Sequence, residues 1–197
     1  MNFIGIGLIM LGLGSSGAWL VLKSGYKVGL VDIPEERSSH SLPTPKGGGI
    51  GILIAFFLAS LYLTVSWAFW FPGLMIALIS FWVDKIEISP KIRLICQFLL
   101  AGIVLWSLEL NKFLSFVNNS ETAIVTTVLY LALFLIFLIF IVGTANLYNF
   151  MDGINGLAGI TGVIAFFLLG TVSASNESSS DYSQLAFGIS LATLGFL

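Results

Sequence analysis

A run of polar side chains stands at the boundary between two long apolar segments of the chain. It reads NLYNFMDGINGLAG over residues 146–159 and places Asn146, Asn149, Asp152 and Asn155 at intervals of three residues. This interval is close enough to the helical period for the four side chains to share a face. Carboxylate and amide oxygens on one face, completed by phosphate oxygens, are the ligands that Mg²⁺ favours. The alternative is an amide-rich turn that satisfies its own backbone.

A second polar segment, SFWVDKIEISPKIRL, follows an apolar run directly. Asp84 lies at the end of that run, Glu87 comes three residues later, and Lys91 and Arg93 follow. The Asp84 carboxylate can hold a metal ion or accept the proton of a reacting hydroxyl. It can equally be a solvated group that ends the helix at the membrane boundary, because a boundary charge is a weaker functional signal than an intramembrane one.

The third polar segment reads VDIPEERSSHSLPTPKGGGIGI. Pro43 and Pro45 are expected to hold the chain extended around Thr44, and Lys46 brings a cation just before three glycines. The glycines open the next apolar segment with unshielded N–H groups and the positive end of a helix dipole, which suits a phosphate or diphosphate. The alternative is that these small residues only let neighbouring helices pack closely.

The composition determines what must position these segments. Hydrophobic residues make up 57% of the chain, charged residues 9%, and the mean hydropathy is +1.03. Such a chain belongs in a bilayer, where a spanning helix needs about 20 apolar residues to cross roughly 30 Å of hydrocarbon. The net charge of -2 and the lack of a long basic run exclude a nucleic-acid partner. Cys96, the only cysteine, cannot form an intrachain disulfide and is interpreted as a packing residue.

We predict an all-α fold, a polytopic transmembrane bundle in one domain over residues 1–197. The bundle has six complete spans and a seventh of 13 residues, which is too short to cross the membrane. The chain is therefore expected to be truncated within that helix. The predicted helices cover residues 2–22, 48–66, 67–83, 94–110, 122–144, 157–172 and 185–197.

The distribution of basic residues predicts the orientation of the bundle. No basic residue precedes the first helix, whereas Lys23 and Lys27 follow it, so it is retained as a span rather than cleaved as a signal peptide. With the N-terminus outside, seven of the eight Lys and Arg residues fall in one set of loops and only Lys112 in the other. Because Lys and Arg accumulate on the cytoplasmic side, all three polar segments are predicted to be cytoplasmic.

The three motifs, in this order and on one predicted membrane face, resemble those of the polyprenyl-phosphate N-acetylhexosamine-1-phosphate transferases. Those transferases form glycosyltransferase family 4 and are relatives of the phospho-N-acetylmuramoyl-pentapeptide transferase. The resemblance covers the N-terminal portion of the family. It implies transfer of an N-acetylhexosamine-1-phosphate from a UDP-N-acetyl sugar to undecaprenyl phosphate, with release of UMP and with Mg²⁺, or alternatively Mn²⁺, as cofactor.

The same resemblance implies a location and a set of partners. It places the chain in the bacterial inner membrane, with its active-site face cytoplasmic and the lipid bilayer, the UDP-sugar and undecaprenyl phosphate as partners. It also allows a homodimer. The sequence NFMDG and the spacing between RSSH and PTP resemble those of the branches that act in O-antigen or teichoic-acid type glycan assembly more than those of the peptidoglycan enzyme.

The resemblance also assigns roles to residues of this chain. The aspartate of the NxxNFMDG motif is Asp152, which is expected to be catalytic and to bind the metal, with Asn149 beside it as a ligand of the metal or of the diphosphate. Asn155 stands where many members have a second acid, and it is expected to bind substrate. Asp84 is expected to be catalytic and metal-binding. Because both substrates are anions, Lys91 is expected to supply a cation that contacts their phosphates.

The PTPxGG motif supplies the remaining substrate-binding residues. It falls on Thr44, Lys46, Gly47 and Gly48, which are expected to face the polyprenyl phosphate or the sugar nucleotide. His40, the only histidine, lies just upstream and is expected to join them. Its alternative is an ordinary solvated side chain between two serines.

Two departures from the family pattern bear on activity. The paired aspartates of the family align with Val83 and Asp84, so the first carboxylate is replaced by a side chain that can neither bind a metal nor accept a proton. A later cytoplasmic loop, with a further aspartate and a histidine-rich motif, would lie beyond Leu197. The alternative function is therefore a catalytically degenerate or truncated membrane homologue that binds lipid phosphate or a partner without turnover.

Overall fold

The computed structural model describes residues 3–28, 31–32, 43–83, 89–118, 123–151, 156–175 and 180–197. Almost all of these residues are helical, and the exceptions are short turns and one pair of two-residue strands. The all-helical class predicted from the composition is therefore confirmed. The elements are α1 (Phe3–Val28), β1 (Val31–Asp32), β2 (Thr44–Pro45), α2 (Ile50–Tyr62), α3 (Trp67–Val83), α4 (Pro90–Asn118), α5 (Ala123–Met151), α6 (Leu157–Ala174) and α7 (Ser180–Phe196).

Four of the described helices are long and apolar enough to cross a membrane. They contain the stretches Phe3–Tyr26, Pro90–Ser107, Ile124–Met151 and Leu157–Ala174. The apolar stretches Ile50–Tyr62 and Trp67–Ile79 are shorter. Because large apolar side chains cover much of the surface of these helices, the chain is a membrane protein. Six complete spans and an external N-terminus remain predictions.

The observed helix ends differ from the predicted ones where a helix includes charged or polar residues that were assigned to a loop. α3 has the predicted bounds, whereas α4 begins four residues earlier, at Pro90, since proline is favoured in the first turn of a helix. α5 continues into the amide-rich motif and ends at Met151. α7 begins at Ser180, five residues before the predicted start, with Asp181 in its first turn. A carboxylate there interacts favourably with the helix dipole, so a polar residue marks the start of this helix.

One compact unit comprises Met1–Ser66 and Tyr148–Leu197, and α7 lies at its centre. α1, α2 and α6 all pack against α7, and α1 also packs against α2. The buried side chains of α7 are small or aliphatic, and those of Leu185 and Ala192 are almost completely enclosed. α7 is therefore a protein-buried helix rather than a lipid-facing one.

Small residues allow close approach of the helices in this unit. A methyl group at Gly14 of α1 would overlap the backbone of Ala192 in α7, and one at Gly17 would overlap Gly51 in α2. Gly195 of α7 similarly faces the Leu11 carbonyl. Since lipid chains are as apolar as the helix surfaces, membrane helices associate through close packing of this kind.

Two buried hydroxyls of α7 add hydrogen bonds to α6. Ser183 Oγ donates to the Gly170 carbonyl at 2.9 Å, and Ser190 Oγ donates to the Val163 carbonyl at 2.8 Å. These bonds satisfy polar groups that would otherwise be stranded in an apolar setting, so they fix α7 along α6.

The second unit, Trp67–Leu147, contains α3, α4 and most of α5. α3 packs against α4, and Pro72 is fully buried within α3. α5 is linked to α4 by Asn146, whose Nδ2 donates to Gln97 Oε1 at 2.7 Å. The prediction of a single domain is not addressed by this division into two units.

The two short strands organise the third polar segment, which precedes α2. β1 pairs with β2 in antiparallel register, Val31 opposite Pro45 and Asp32 opposite Thr44. Tyr26, near the end of α1, donates its hydroxyl to the Pro43 carbonyl at 2.8 Å. The extended conformation predicted around Thr44 is therefore confirmed, and this segment is tied to the end of α1.

Candidate functional site

Six of the ten predicted site residues lie in the described part of the chain. They are Thr44, Lys46, Gly47, Gly48, Lys91 and Asn149. The other four, His40, Asp84, Asp152 and Asn155, lie outside the described residues. Among the residues described, no group of three or more His, Cys, Asp or Glu side chains could hold a metal ion.

The segment before α2 brings four of the predicted residues together along the chain. Thr44 and Lys46 are exposed, and Gly47 and Gly48 are half-buried. Gly47 has φ 90, and its carbonyl accepts a hydrogen bond from the Ile50 N–H at 3.1 Å. Only glycine adopts this left-handed conformation without strain, so Gly47 is required by the backbone that leads into α2.

The neighbouring glycines have different surroundings. A methyl group at Gly48 would lie 2.6 Å from Cε2 of the Phe196 ring in α7, and one at Gly51 would overlap the Leu13 carbonyl of α1. A methyl group at Gly49, by contrast, would meet nothing within 4 Å. Close packing therefore accounts for Gly48 and Gly51, while the exposed Gly49 has open space beside it.

The start of α2 can receive an anion. Gly49 is the N-cap residue of α2 and makes no side-chain cap, and the exposed Lys46 precedes it by three residues, so a cation comes shortly before the positive end of the helix dipole in the chain. Backbone N–H groups and a neighbouring cation are the elements of a phosphate site. The arrangement is compatible with the binding of an anion.

The first six residues of the amide-rich motif form the last turns of α5. The two asparagines among them differ in role. Asn146 is half-buried, and its Nδ2 donates to Gln97 Oε1 and to the Val142 carbonyl, the latter at 2.8 Å. Asn149 is exposed one turn later. Asn146 is thus engaged in helix packing, which leaves Asn149 as the described amide of the motif that can ligate a metal or phosphate.

Tyr148 is a structural residue of the motif that the sequence reasoning did not identify. Its hydroxyl donates to the carbonyl of Ala158, in the first turn of α6. Gly156 precedes α6 with φ 75, a conformation that favours glycine. The signal in the sequence was an aromatic hydroxyl within an amide motif, followed by glycines at positions 156, 159 and 162.

Lys91 belongs to the second unit, where it is exposed in the first turn of α4. Two residues later, Arg93 is half-buried and lines a cleft between α3 and α4. Cys96 and Gln97 line the same cleft.

Comparison with known families identifies the chain. A family model described as "Glycosyl transferase family 4" matches residues 66–197, more than half of the chain. The chain belongs to glycosyl transferase family 4. No curated protein and no solved structure matches it significantly.

The family match confirms the resemblance that the motifs indicated. The matched range of this family 4 member begins just before α3 and includes Asp84, Lys91 and the whole NLYNFMDGINGLAG motif. The PTPKGG segment before α2 lies outside the matched range. Family membership indicates transferase activity at a membrane, and the roles of individual residues remain proposals.

Proposed function

We propose that this protein transfers an N-acetylhexosamine-1-phosphate from a UDP-sugar to undecaprenyl phosphate and releases UMP. The observation that supports this most directly is the family 4 match, because it includes the amide and carboxylate motif that begins in the last turns of α5. The further proposal is that the reaction takes place on the cytoplasmic face of the bacterial inner membrane. It would serve cell-envelope glycan assembly of the O-antigen or teichoic-acid type.

The proposed reaction exchanges one phosphorus–oxygen bond for another. A phosphate oxygen of the lipid acceptor attacks the β-phosphorus of the UDP-sugar, and the bond from that phosphorus to the bridging oxygen breaks. UMP leaves with the bridging oxygen, and the product is a lipid diphosphate that carries the sugar. The acceptor and the donor are both anions, so the transfer requires cationic groups that hold them together.

The residues of this chain supply those groups in the proposal. Asp152, Asn149 and Asp84 would hold Mg²⁺, which when bound neutralises charge on the diphosphate. Asn149 fits this role because its amide is exposed at the end of α5. Lys46 and the N-terminus of α2 would bind a phosphate, and Lys91 would add a cation at the start of α4.

The remaining predicted residues would contact the substrates. Thr44 is exposed in β2, where its hydroxyl can hydrogen-bond a phosphate or sugar oxygen. Gly47 and Gly48 would allow the backbone to turn into α2 beside that ligand. His40 and Asn155 are proposed as substrate-binding residues on the strength of the motif alone.

A turnover assay tests this proposal. The purified full chain in detergent is given undecaprenyl phosphate, Mg²⁺ and a panel of UDP-N-acetylhexosamines, and UMP release is measured. We expect release with at least one donor, a loss of about 100-fold or more in Asp152→Asn, as for removal of one charge-stabilising group, and no change in Asp181→Asn. Asp181 is the matched control because it is an exposed carboxylate at the start of α7. Folded protein that releases no UMP with any donor would refute the proposal.

A second candidate is favoured by Val83, which stands where the family resemblance places the first of two acids. In that case the chain binds lipid phosphate without turnover. The Val83→Asp variant separates the two candidates. A degenerate enzyme is expected to be inactive as it stands and to gain UMP release in this variant, whereas an active enzyme releases UMP with valine in place.

A further inference from the structure

The side chain of Tyr148 joins the end of α5 to the start of α6. Tyr148 lies in the last turn of α5, and its hydroxyl donates to the Ala158 carbonyl, ten residues further along the chain. Both residues belong to the unit of Met1–Ser66 and Tyr148–Leu197. This hydrogen bond therefore fixes where the chain leaves one helix and where it enters the next.

The site that receives the Tyr148 hydroxyl is built by small residues of α6 and α7. Gly162 is buried, and a methyl group there would lie 2.6 Å from the tyrosine oxygen. The same methyl group would lie 3.4 Å from the side-chain methyl of Thr193 in α7. Glycine at position 162 thus leaves the space that the hydroxyl occupies, because any larger residue would push it away from Ala158.

We propose that Tyr148 is a positioning residue that holds Asn149 and the first turn of α6 in the arrangement that binds the metal. This proposal rests on the proposed function. Asn149 follows Tyr148 directly, and the proposed ligand Asp152 comes between the two anchored points in the sequence. Tying both ends of a short segment lowers the entropy lost when its ligands gather around an ion.

The alternative is that the hydroxyl only helps α6 to pack. Ser190 provides the comparison, because its Oγ also donates to a carbonyl of α6, that of Val163, but adjoins no proposed ligand. A packing role predicts that Tyr148→Phe and Ser190→Ala lower thermal stability alike and leave metal binding unchanged. A positioning role predicts that metal affinity falls only when the tyrosine hydroxyl is removed.

The test measures binding of the metal alone. Mn²⁺ is titrated into the full chain in detergent and followed by electron paramagnetic resonance, while thermal unfolding is recorded for the same samples. We expect the Mn²⁺ dissociation constant to rise about 10-fold in Tyr148→Phe, as for other residues that orient metal ligands, and to stay within twofold of wild type in Ser190→Ala.

A second variant, in α6, perturbs the same hydrogen bond between Tyr148 and Ala158. Gly162→Ala should crowd the hydroxyl and weaken Mn²⁺ binding by a similar factor, and it should add no further weakening in the Tyr148→Phe background, because no hydroxyl is left to displace. Additive losses would overturn the proposal, as would unchanged Mn²⁺ affinity in Tyr148→Phe.

The result also separates this proposal from the proposed function. A wild-type chain that binds Mn²⁺ in the expected pattern but releases no UMP contradicts the transferase and supports the positioning role. A wild-type chain that releases UMP but binds no Mn²⁺ overturns the positioning role and leaves the transferase standing.

Discussion

A methyl group added at Gly14 is expected to force α1 away from α7. The new carbon would lie 2.8 Å from the carbonyl carbon of Ala192 and 3.0 Å from its Cα. Carbon atoms pack at about 3.5–4.0 Å, so the two helices would have to separate by roughly 1 Å. Because the obstacle is backbone rather than a flexible side chain, no rotamer change can relieve it.

Gly12 supplies the matched control for the size of this effect. It lies in the same helix, it is exposed, and a methyl group there would meet nothing within 4 Å. Both substitutions gain about 1 kcal/mol of helix propensity, and this gain cancels when the two variants are compared. The difference that remains is the cost of overpacking, about 1–3 kcal/mol.

Thermal unfolding of the two variants in one detergent measures this difference. At about 2–4 °C per kcal/mol for a chain of this size, Gly14→Ala should unfold about 2–12 °C below Gly12→Ala. Equal unfolding temperatures, or a higher value for Gly14→Ala, would refute the close approach of α1 and α7.

Three further substitutions test local features of the structure. Gly47→Ala should lower the free energy of unfolding by about 1 kcal/mol because of its left-handed backbone, whereas Gly49→Ala should leave it within about 0.5 kcal/mol, and equal losses would contradict this. A double-mutant cycle of Asn146→Ala and Gln97→Ala should show a coupling energy of about 0.5–1.5 kcal/mol in unfolding experiments, and a zero coupling would mean that the bond contributes nothing. Leu185→Ala should cost about 2–5 kcal/mol because it empties a buried site, and a loss below about 1 kcal/mol would argue against a core centred on α7.

Hydropathy predicted the positions of the helices better than their ends, since α1, α4 and α5 each continue six to eight residues beyond the predicted end. α3 has the predicted bounds, and α6 has the predicted start. α7 was predicted to begin only at Leu185, directly after the polar residues Ser183 and Gln184. The structure shows why such residues occur there, since Ser183 hydrogen-bonds α6 and the small residues of α7 allow close packing. Hydropathy indicates which helices contact lipid. A helix surrounded by other helices instead needs small side chains for close packing and polar side chains for hydrogen bonds.

The sequence singled out candidate residues but could not divide them by role. The glycines at positions 47–49 look alike in the sequence, yet the first is required by its backbone angle, the second packs on Phe196 and the third has open space beside it. Asn146 and Asn149 also look alike, although Asn146 bonds Gln97 and Asn149 is exposed. These differences depend on neighbours far away in the sequence, so spacing alone could not reveal them.

The most direct test of the proposed function follows the β-phosphate of the donor. UDP-N-acetylhexosamine labelled with ³²P at the β-position is incubated with the purified chain, Mg²⁺ and undecaprenyl phosphate, and the mixture is divided into organic and aqueous phases. A sugar-1-phosphate transferase moves the label into the lipid phase and releases unlabelled UMP in equal amount. Label that stays in the aqueous phase as UDP would indicate transfer of the sugar alone, and label that stays in the intact donor would indicate no transfer, so either result would contradict the proposed function.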